Sequence, residues 1–299
     1  MPAPAYGERR LHPMKIKESF GSRLFDAANI LFMLLLMAVM VYPMLYVISA
    51  SVSSNALVAS GAVLLWPKGL TTAAYDQLVG NRDVWISYWN TIRYTAVQVA
   101  LTLLVTAAMA YPLSKKWLPG RRPILLMAAF TLLFGGGMIP TFLVVQKLGL
   151  LDSIWAIVLP SLVSTWYLFI MRTFFEALPE ELEDAATIDG CNPLQVLLRV
   201  VLPLSMPVMA TIGLFTAVNQ WNSFFDALIY LNDRSLYPLQ IMLRNILIAG
   251  ETVQGEGDLT HLETLKYAMI VIATLPILCV YPFIQKYFVQ GAMIGGVKG

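Results

Sequence analysis

Charge is scarce in this chain. Of its 299 residues only 13% are Asp, Glu, Lys or Arg, against 58% hydrophobic, and the mean hydropathy is +0.68. A water-soluble globule of that balance would aggregate, so much of the surface must be solvated by lipid. Cysteine is nearly absent as well. Cys191 lies in a polar insert and Cys279 in an apolar run, which argues against a disulfide framework and predicts reduced thiols. Histidine occurs only at positions 12 and 261, so no His-based metal site is visible. The net charge of +2 is small and scattered, and no run of Lys and Arg interleaves with aromatics, which sets nucleic acid aside as a partner. Nor does the string G-x-x-x-x-G-K-S/T occur, so the chain lacks the loop of backbone amides and Lys that cradles nucleotide phosphates.

What the sequence does have is long apolar runs. They lie near residues 24–49, 91–113, 123–145, 154–175, 205–231 and 266–289. Each approaches or exceeds the roughly 20 residues needed to cross about 30 Å of hydrocarbon. The expected fold is therefore all-α and polytopic: one transmembrane domain of six helices over residues 24–289, between a basic leader (1–23) and a short tail (290–299). The leader has no A-x-A cleavage site at its end, and the first run is longer than a signal-peptide core, so it is expected to be retained.

Basic residues set the orientation. Arg9, Arg10, Lys15, Lys17, Arg23, Lys115, Lys116, Arg121, Arg122, Arg172, Arg199, Lys286 and Lys298 fall on one side of the expected topology. Lys68, Arg82, Lys147, Arg234 and Arg244 fall on the other. The positive-inside rule then places both termini in the cytoplasm. Two long segments, 50–90 and 232–265, face outward. They are large enough either to touch an external partner or simply to cap the bundle.

Against this background residues 176–203 stand out. Glu176, Glu180, Glu181, Glu183, Asp184 and Asp189 crowd together, with Arg172 and Arg199 as nearby basic residues. A segment resting on an anionic inner leaflet is normally basic, so these carboxylates suit a protein partner better. Pro179 fits the first turn of a helix, and the glutamates after it place negative charge at the positive end of its dipole. Asp189-Gly190 predicts its end, since Gly most easily takes the left-handed C′ conformation. Asn192, Pro193 and Gln195 then suit the N-cap, N1 and N3 positions of a second helix. On that helix Leu194, Leu197, Leu198 and Val201 recur at helical spacing before Pro203 and Pro207.

This helix, Gly turn and helix resembles the EAA loop of ABC-importer permeases, whose usual form is E-A-A-x-x-D-G-A, about nine residues, then I/V-x-L-P. Here Asp184-Ala185-Ala186 precedes Asp189-Gly190, and Val200-Val201-Leu202-Pro203 closes the pattern. Asp stands in place of the first Glu, and Cys191 in place of the last Ala. Ala110-Tyr111-Pro112-Leu113-Ser114 and the terminal Gly295 to Gly299 are similar to the carbohydrate-uptake branch, in particular the smaller permease of the maltose type. The stretch GLFTAVNQWNSFFDALIYL looks closest to permeases for aldouronate or polysaccharide fragments.

The resemblance implies a transport subunit of the bacterial cytoplasmic membrane, with no enzymatic activity or cofactor of its own. ATP would be used by two separate cytoplasmic ATPase subunits. A second permease would complete the pore, and a solute-binding protein would deliver an oligosaccharide from outside. The implied ATPase contact comprises Glu183, Asp184, Ala185, Ala186, Asp189, Gly190, Leu194, Leu197 and Pro203. The tail Gly296, Val297, Lys298 and Gly299 would reach between the ATPase subunits. Permeases for peptides and amino acids share the EAA pattern, so those solutes stay open. An ion-coupled secondary transporter is a further alternative, favoured by mid-membrane ionisable residues and an inverted repeat, neither of which is evident.

A candidate solute path can be read from the residues themselves. At about 100° per residue, Asn219, Asn222, Ser223, Asp226 and Tyr230 form one stripe of the fifth run, flanked by Phe225 as a stacking face. Trp221 and Phe224 point away and suit packing. Thr91, Thr95, Gln98, Thr102 and Thr106 form a second stripe, suited to interhelical packing or to lining a path. Gly135-Gly136-Gly137 before Pro140 predicts either close helix contact or a broken helix.

Overall fold

The computed structural model describes residues 20–249 and 263–279. Among these residues the secondary structure is helical throughout, with no strand. Helix α1 (Phe20–Ser51) is buried only at its C-terminal end, through Ser49, Ala50 and Ser51. There Ala50 packs with Val58 and Val63. Short helices α2 (Asn55–Ala59) and α3 (Ala73–Gly80) follow. Asn81 then caps α4 (Arg82–Ser114), its side chain accepting from the Asp83 amide at 2.7 Å.

Helix α4 is the central post of the bundle, and its amphipathicity is inverted. Ser87, Asn90, Thr91, Gln98, Thr102 and Thr106 are buried at helical spacing, whereas Trp85, Trp89 and Leu104 are exposed. In lipid the apolar face needs no cover, but polar side chains must find partners within the protein. Those partners explain where α4 packs. Asn90 donates to the carbonyls of Ser235 and Tyr237, Tyr94 donates to that of Leu236, and the Thr91 hydroxyl accepts from the Leu239 amide.

Beyond α4 most expected spans are broken. Residues 123–145 fall on α5 (Arg121–Leu133) and α6 (Met138–Lys147), which meet at 114°. Gly135 and Gly136 separate them, and a Cβ at either would meet nothing within 4 Å, so this is a broken helix and not a close contact. Residues 154–175 divide into α7 (Ile154–Val158) and α8 (Thr165–Glu176), with Pro160 in the gap. Helix α9 (Glu180–Ile188) leads by a turn to α10 (Pro193–Leu204), which contains a π-turn at Leu197–Val201. Helix α11 (Met206–Asn222) leaves α10 at 81°. A break at Ser223-Phe224 precedes α12 (Phe225–Tyr230); a short 3-10 turn (Arg234–Leu236), α13 (Leu239–Arg244), continued by a π-turn over Asn245–Ala249, and α14 (263–279) follow.

Of the six expected spans, the described residues thus show two as single long helices, while others are interrupted. Among the described residues two helices, α1 and α4, are long and apolar enough to cross a membrane unbroken, or four spans exist if each bent pair counts as one. The final expected run, 266–289, is described only as far as residue 279. Leader residues 1–19, segment 250–262 and the tail residues Gly296 to Gly299 lie outside the described residues.

Candidate functional site

Two regions bring the sequence-predicted residues together. The first is the turn between α9 and α10. Gly190 has φ +85°, and its amide donates to the Thr187 carbonyl while Cys191 donates to that of Ala186, both at 3.0 Å. This pair of bonds is a Schellman motif. Immediately after it, Asn192 and Gln195 form a complete capping box, each side chain bonding the other's backbone amide at 2.9 Å. Both expectations for this turn hold. At the start of α9, however, Pro179 is the N-cap and not the first helical residue, and it offers no side-chain bond.

The turn has two faces, and the expected contact residues divide between them. Asp184, Ala185, Asp189 and Gly190 are exposed, as is Leu194. Ala186 and Leu197 point the other way, into a core with Ala107 and Ala110 of α4, Leu168 and Met171 of α8, and Val196 and Val201. Glu183 also faces the bundle: it is ion-paired with Lys115 and accepts from the Tyr111 hydroxyl at 3.2 Å. Pro203 continues α10 just after the π-turn. Sequence reasoning missed Ile188, which is 86% exposed among carboxylates. The break in polarity between Thr187 and Asp189 was its only signal.

Nearby acids are also better partnered than their sequence neighbours suggested. Glu176 receives Arg172, four residues earlier, and Arg121 of α5. Each arginine additionally donates its Nε to the carbonyl of Leu113, at 2.8 Å from Arg121 and 3.0 Å from Arg172. Leu113 lies in the last turn of α4, where carbonyls lack helical partners, so two cations satisfy a helix end.

The second region is a cavity of about 270 Å³ between α4, the α7–α8 gap, α11 and α12. Asn219, Ser223 and Asp226 line it, together with Gln98 and Thr102 from the second stripe. Ser161, Ser164, Tyr167, Thr216 and Gln220 complete a lining made wholly of polar residues. Its construction follows from the helix breaks. Carbonyls of Ser161 and Leu162, left free in the gap at Pro160, accept from Gln98 and Thr102 at 3.3 Å. Asn219 donates to the Tyr167 hydroxyl at 3.1 Å. Gln98 and Thr216 are only 3% and 5% exposed, yet the Gln98 Oε1 and Thr216 Oγ1 atoms have no partner among the described residues. Buried polar atoms without partners are costly, and these two belong to residues that line the cavity.

Three residues of the expected path are not in this lining. The stripe assumed one continuous helix, and the extended backbone at Ser223 turns it aside. Asn222 is exposed and bonds back to the Val218 carbonyl at 2.8 Å. Phe225 stands edge-on to Phe224, at 6.4 Å between ring centroids. Tyr230 is buried and stacked on Phe142 at 6.1 Å. Trp221 packs as expected, donating to the Ala273 carbonyl at 3.0 Å. Of the second stripe, Thr91 serves packing, and the hydroxyls of Thr95 and Thr106 are buried without a partner among the described residues.

A family model described as "Binding-protein-dependent transport system inner membrane component" matches residues 11–293. The chain belongs to that family. The permease is 42% identical over 284 residues to the polygalacturonan/rhamnogalacturonan transport system permease protein YtcP of Bacillus subtilis (strain 168), with 93% of this chain and 99% of that one covered. It is 31% identical over 268 residues to the arabinooligosaccharides transport system permease protein AraQ of Halalkalibacterium halodurans, covering 87% and 91% of the two chains. Among solved structures it is similar to a chain of a bacterial ABC transporter involved in the import of the acidic polysaccharide alginate. That match has a TM-score of 0.85 and 35% identity, and covers 91% of this chain and 99% of the other. The resemblance drawn from the EAA pattern is borne out: this is a permease subunit of an ABC importer.

Proposed function

We propose that the permease forms half of the translocation path for an oligosaccharide in the cytoplasmic membrane of a bacterium. The cavity carries this reading: its lining of amides, hydroxyls and one carboxyl matches the hydrogen-bonding surface of a sugar. Relatives named for polygalacturonan/rhamnogalacturonan, arabinooligosaccharides and alginate support the same solute class. The six apolar runs of the sequence are six membrane passages, with both termini inside. A second, different permease completes the pore, and an extracytoplasmic binding protein delivers the solute.

Segment 236–238, a candidate contact for that binding protein, presents its backbone to α4 and buries Pro238, so an external partner meets Asn232 to Ser235 more readily. ATP is hydrolysed by two separate subunits that dock on the exposed face of the α9–α10 turn. Asp184 and Asp189 supply a polar rim there, Ala185 and Gly190 allow close approach, and Ile188, Leu194 and Leu198 supply an apolar centre. Tail residues Gly296 to Gly299 add a further contact.

The test is reconstitution of the complete importer in liposomes, with uptake of labelled oligosaccharides, peptides and amino acids compared. Oligosaccharide uptake that requires the binding protein and ATP is expected. Uptake confined to peptides or amino acids would reassign the solute, and uptake by this chain alone would remove it from the importer reading.

A further inference from the structure

The inward position of Glu183 changes what that residue does. It lies on the face of α9 that carries buried Ala186, and its carboxylate takes both the Lys115 ammonium and the Tyr111 hydroxyl. Lys115 is the C-cap of α4, and its Nζ also sits 4.9 Å from the centroid of the Tyr111 ring. Side chains of Lys115 and Glu183 are 18% and 16% exposed, so water screens the pair only partly. Three groups that share one site, two of them on α4 and one on α9, hold each other in a fixed geometry.

Helix α4 then runs unbroken from this contact to the cavity. Tyr111 stands thirteen residues after Gln98, which corresponds to about 20 Å along a helix rising 1.5 Å per residue. Gln98 and Thr102 line the cavity from that same helix. A displacement of α9 therefore has a rigid element to act on, and the polar tie is its specific attachment.

We propose that Lys115, Tyr111 and Glu183 form a strut through which movement of the ATPase-docked α9 is passed along α4 to the cavity. This makes Glu183 a positioning residue and not a docking residue. The assignment rests on the proposed docking of α9.

The test uses the complete importer, with sister permease, ATPase and binding protein, and measures solute imported per ATP hydrolysed. Lys115→Met and Glu183→Gln should each retain the ATPase subunit on purification yet lower that ratio severalfold. The exchange Lys115→Glu with Glu183→Lys should recover most of it, which a role in packing alone would not produce. Tyr111→Phe, which keeps the ring and removes one hydrogen bond, should give a smaller loss and serves where a charge variant fails to assemble. A wild-type ratio in both single variants and in Tyr111→Phe would overturn the strut. Loss of the ATPase subunit from Glu183→Gln would also overturn it, by returning Glu183 to docking. Failure of the docking reading shows separately, as an unaltered ATPase complex when Asp184, Ile188 and Asp189 are replaced.

Discussion

The helix ends around Leu113 and the cavity around Gln98 lie on the same helix, and they treat polar groups in opposite ways. At the helix end, Glu176 and Glu183 each have two donors, and even a terminal carbonyl is claimed by two arginines. In the cavity, buried Gln98 and Thr216 keep atoms without partners among the described residues. A half-buried charge left unpaired destabilises the fold, so the first arrangement is fixed and suits the passage of force. Hydrogen-bonding groups without partners cost stability, and on the proposed function the polar lining around them is what a solute would meet in place of water.

The strongest break of this contrast is Gly190→Val. Its φ of +85° suits glycine, and a β-branched residue there costs at least about 1–2 kcal/mol and dismantles the Schellman bonds. Solute imported per ATP should fall at least about tenfold while membrane insertion, measured by fractionation, persists. Asn219→Leu with Ser223→Ala sharpens the cavity side. At about 1 kcal/mol per lost hydrogen bond, the apparent KM for uptake should rise roughly 10- to 30-fold, with normal recovery of the partner subunits. Glu176→Gln weakens the paired side. Removing one charge that serves two arginines should lower the melting temperature in detergent by a few degrees, corresponding to about 1–2 kcal/mol after allowance for partial exposure.

The smallest effect is expected in the loop before α7. The Asp152 carboxylate accepts from the amides of Asn232 and Asp233 and from the Asn232 side chain, and these bonds hold its pKa below the ordinary 3.8. Because the folded value is depressed, its contribution is complete above pH 3.8 and is lost as pH falls through the lower folded value. Melting curves between pH 2 and 7 should therefore show a slightly steeper acid decline for wild type than for Asp152→Asn. Parallel curves would show that this clamp has no bearing on stability.

The turn at Gly190 was legible to the residue because its signals are local: a left-handed Gly, an Asn N-cap, a Gln three positions on. Helices α1 and α4 were legible through hydropathy, and Asn219, Ser223 and Asp226 through the scarcity of polar groups in apolar runs. The break at Ser223-Phe224 was not, since neither Gly nor Pro marks it and Phe224 is a residue that helices accept. Pro160 did mark the gap before α8, but which side chains would use the freed carbonyls depended on the register of α4. The partners of Glu176 and Glu183 were hidden for the same reason: Arg121 and Lys115 lie 55 and 68 residues away in the chain.

The back-to-back caps at Gly190 and Asn192 bond the amides of Gly190, Cys191, Asn192 and Gln195 within the chain itself. On the proposed docking, an ATPase subunit would find that surface already shaped, so association would lose little to ordering and proceed as a rigid-body encounter. The permease would then lose and regain its motor without refolding.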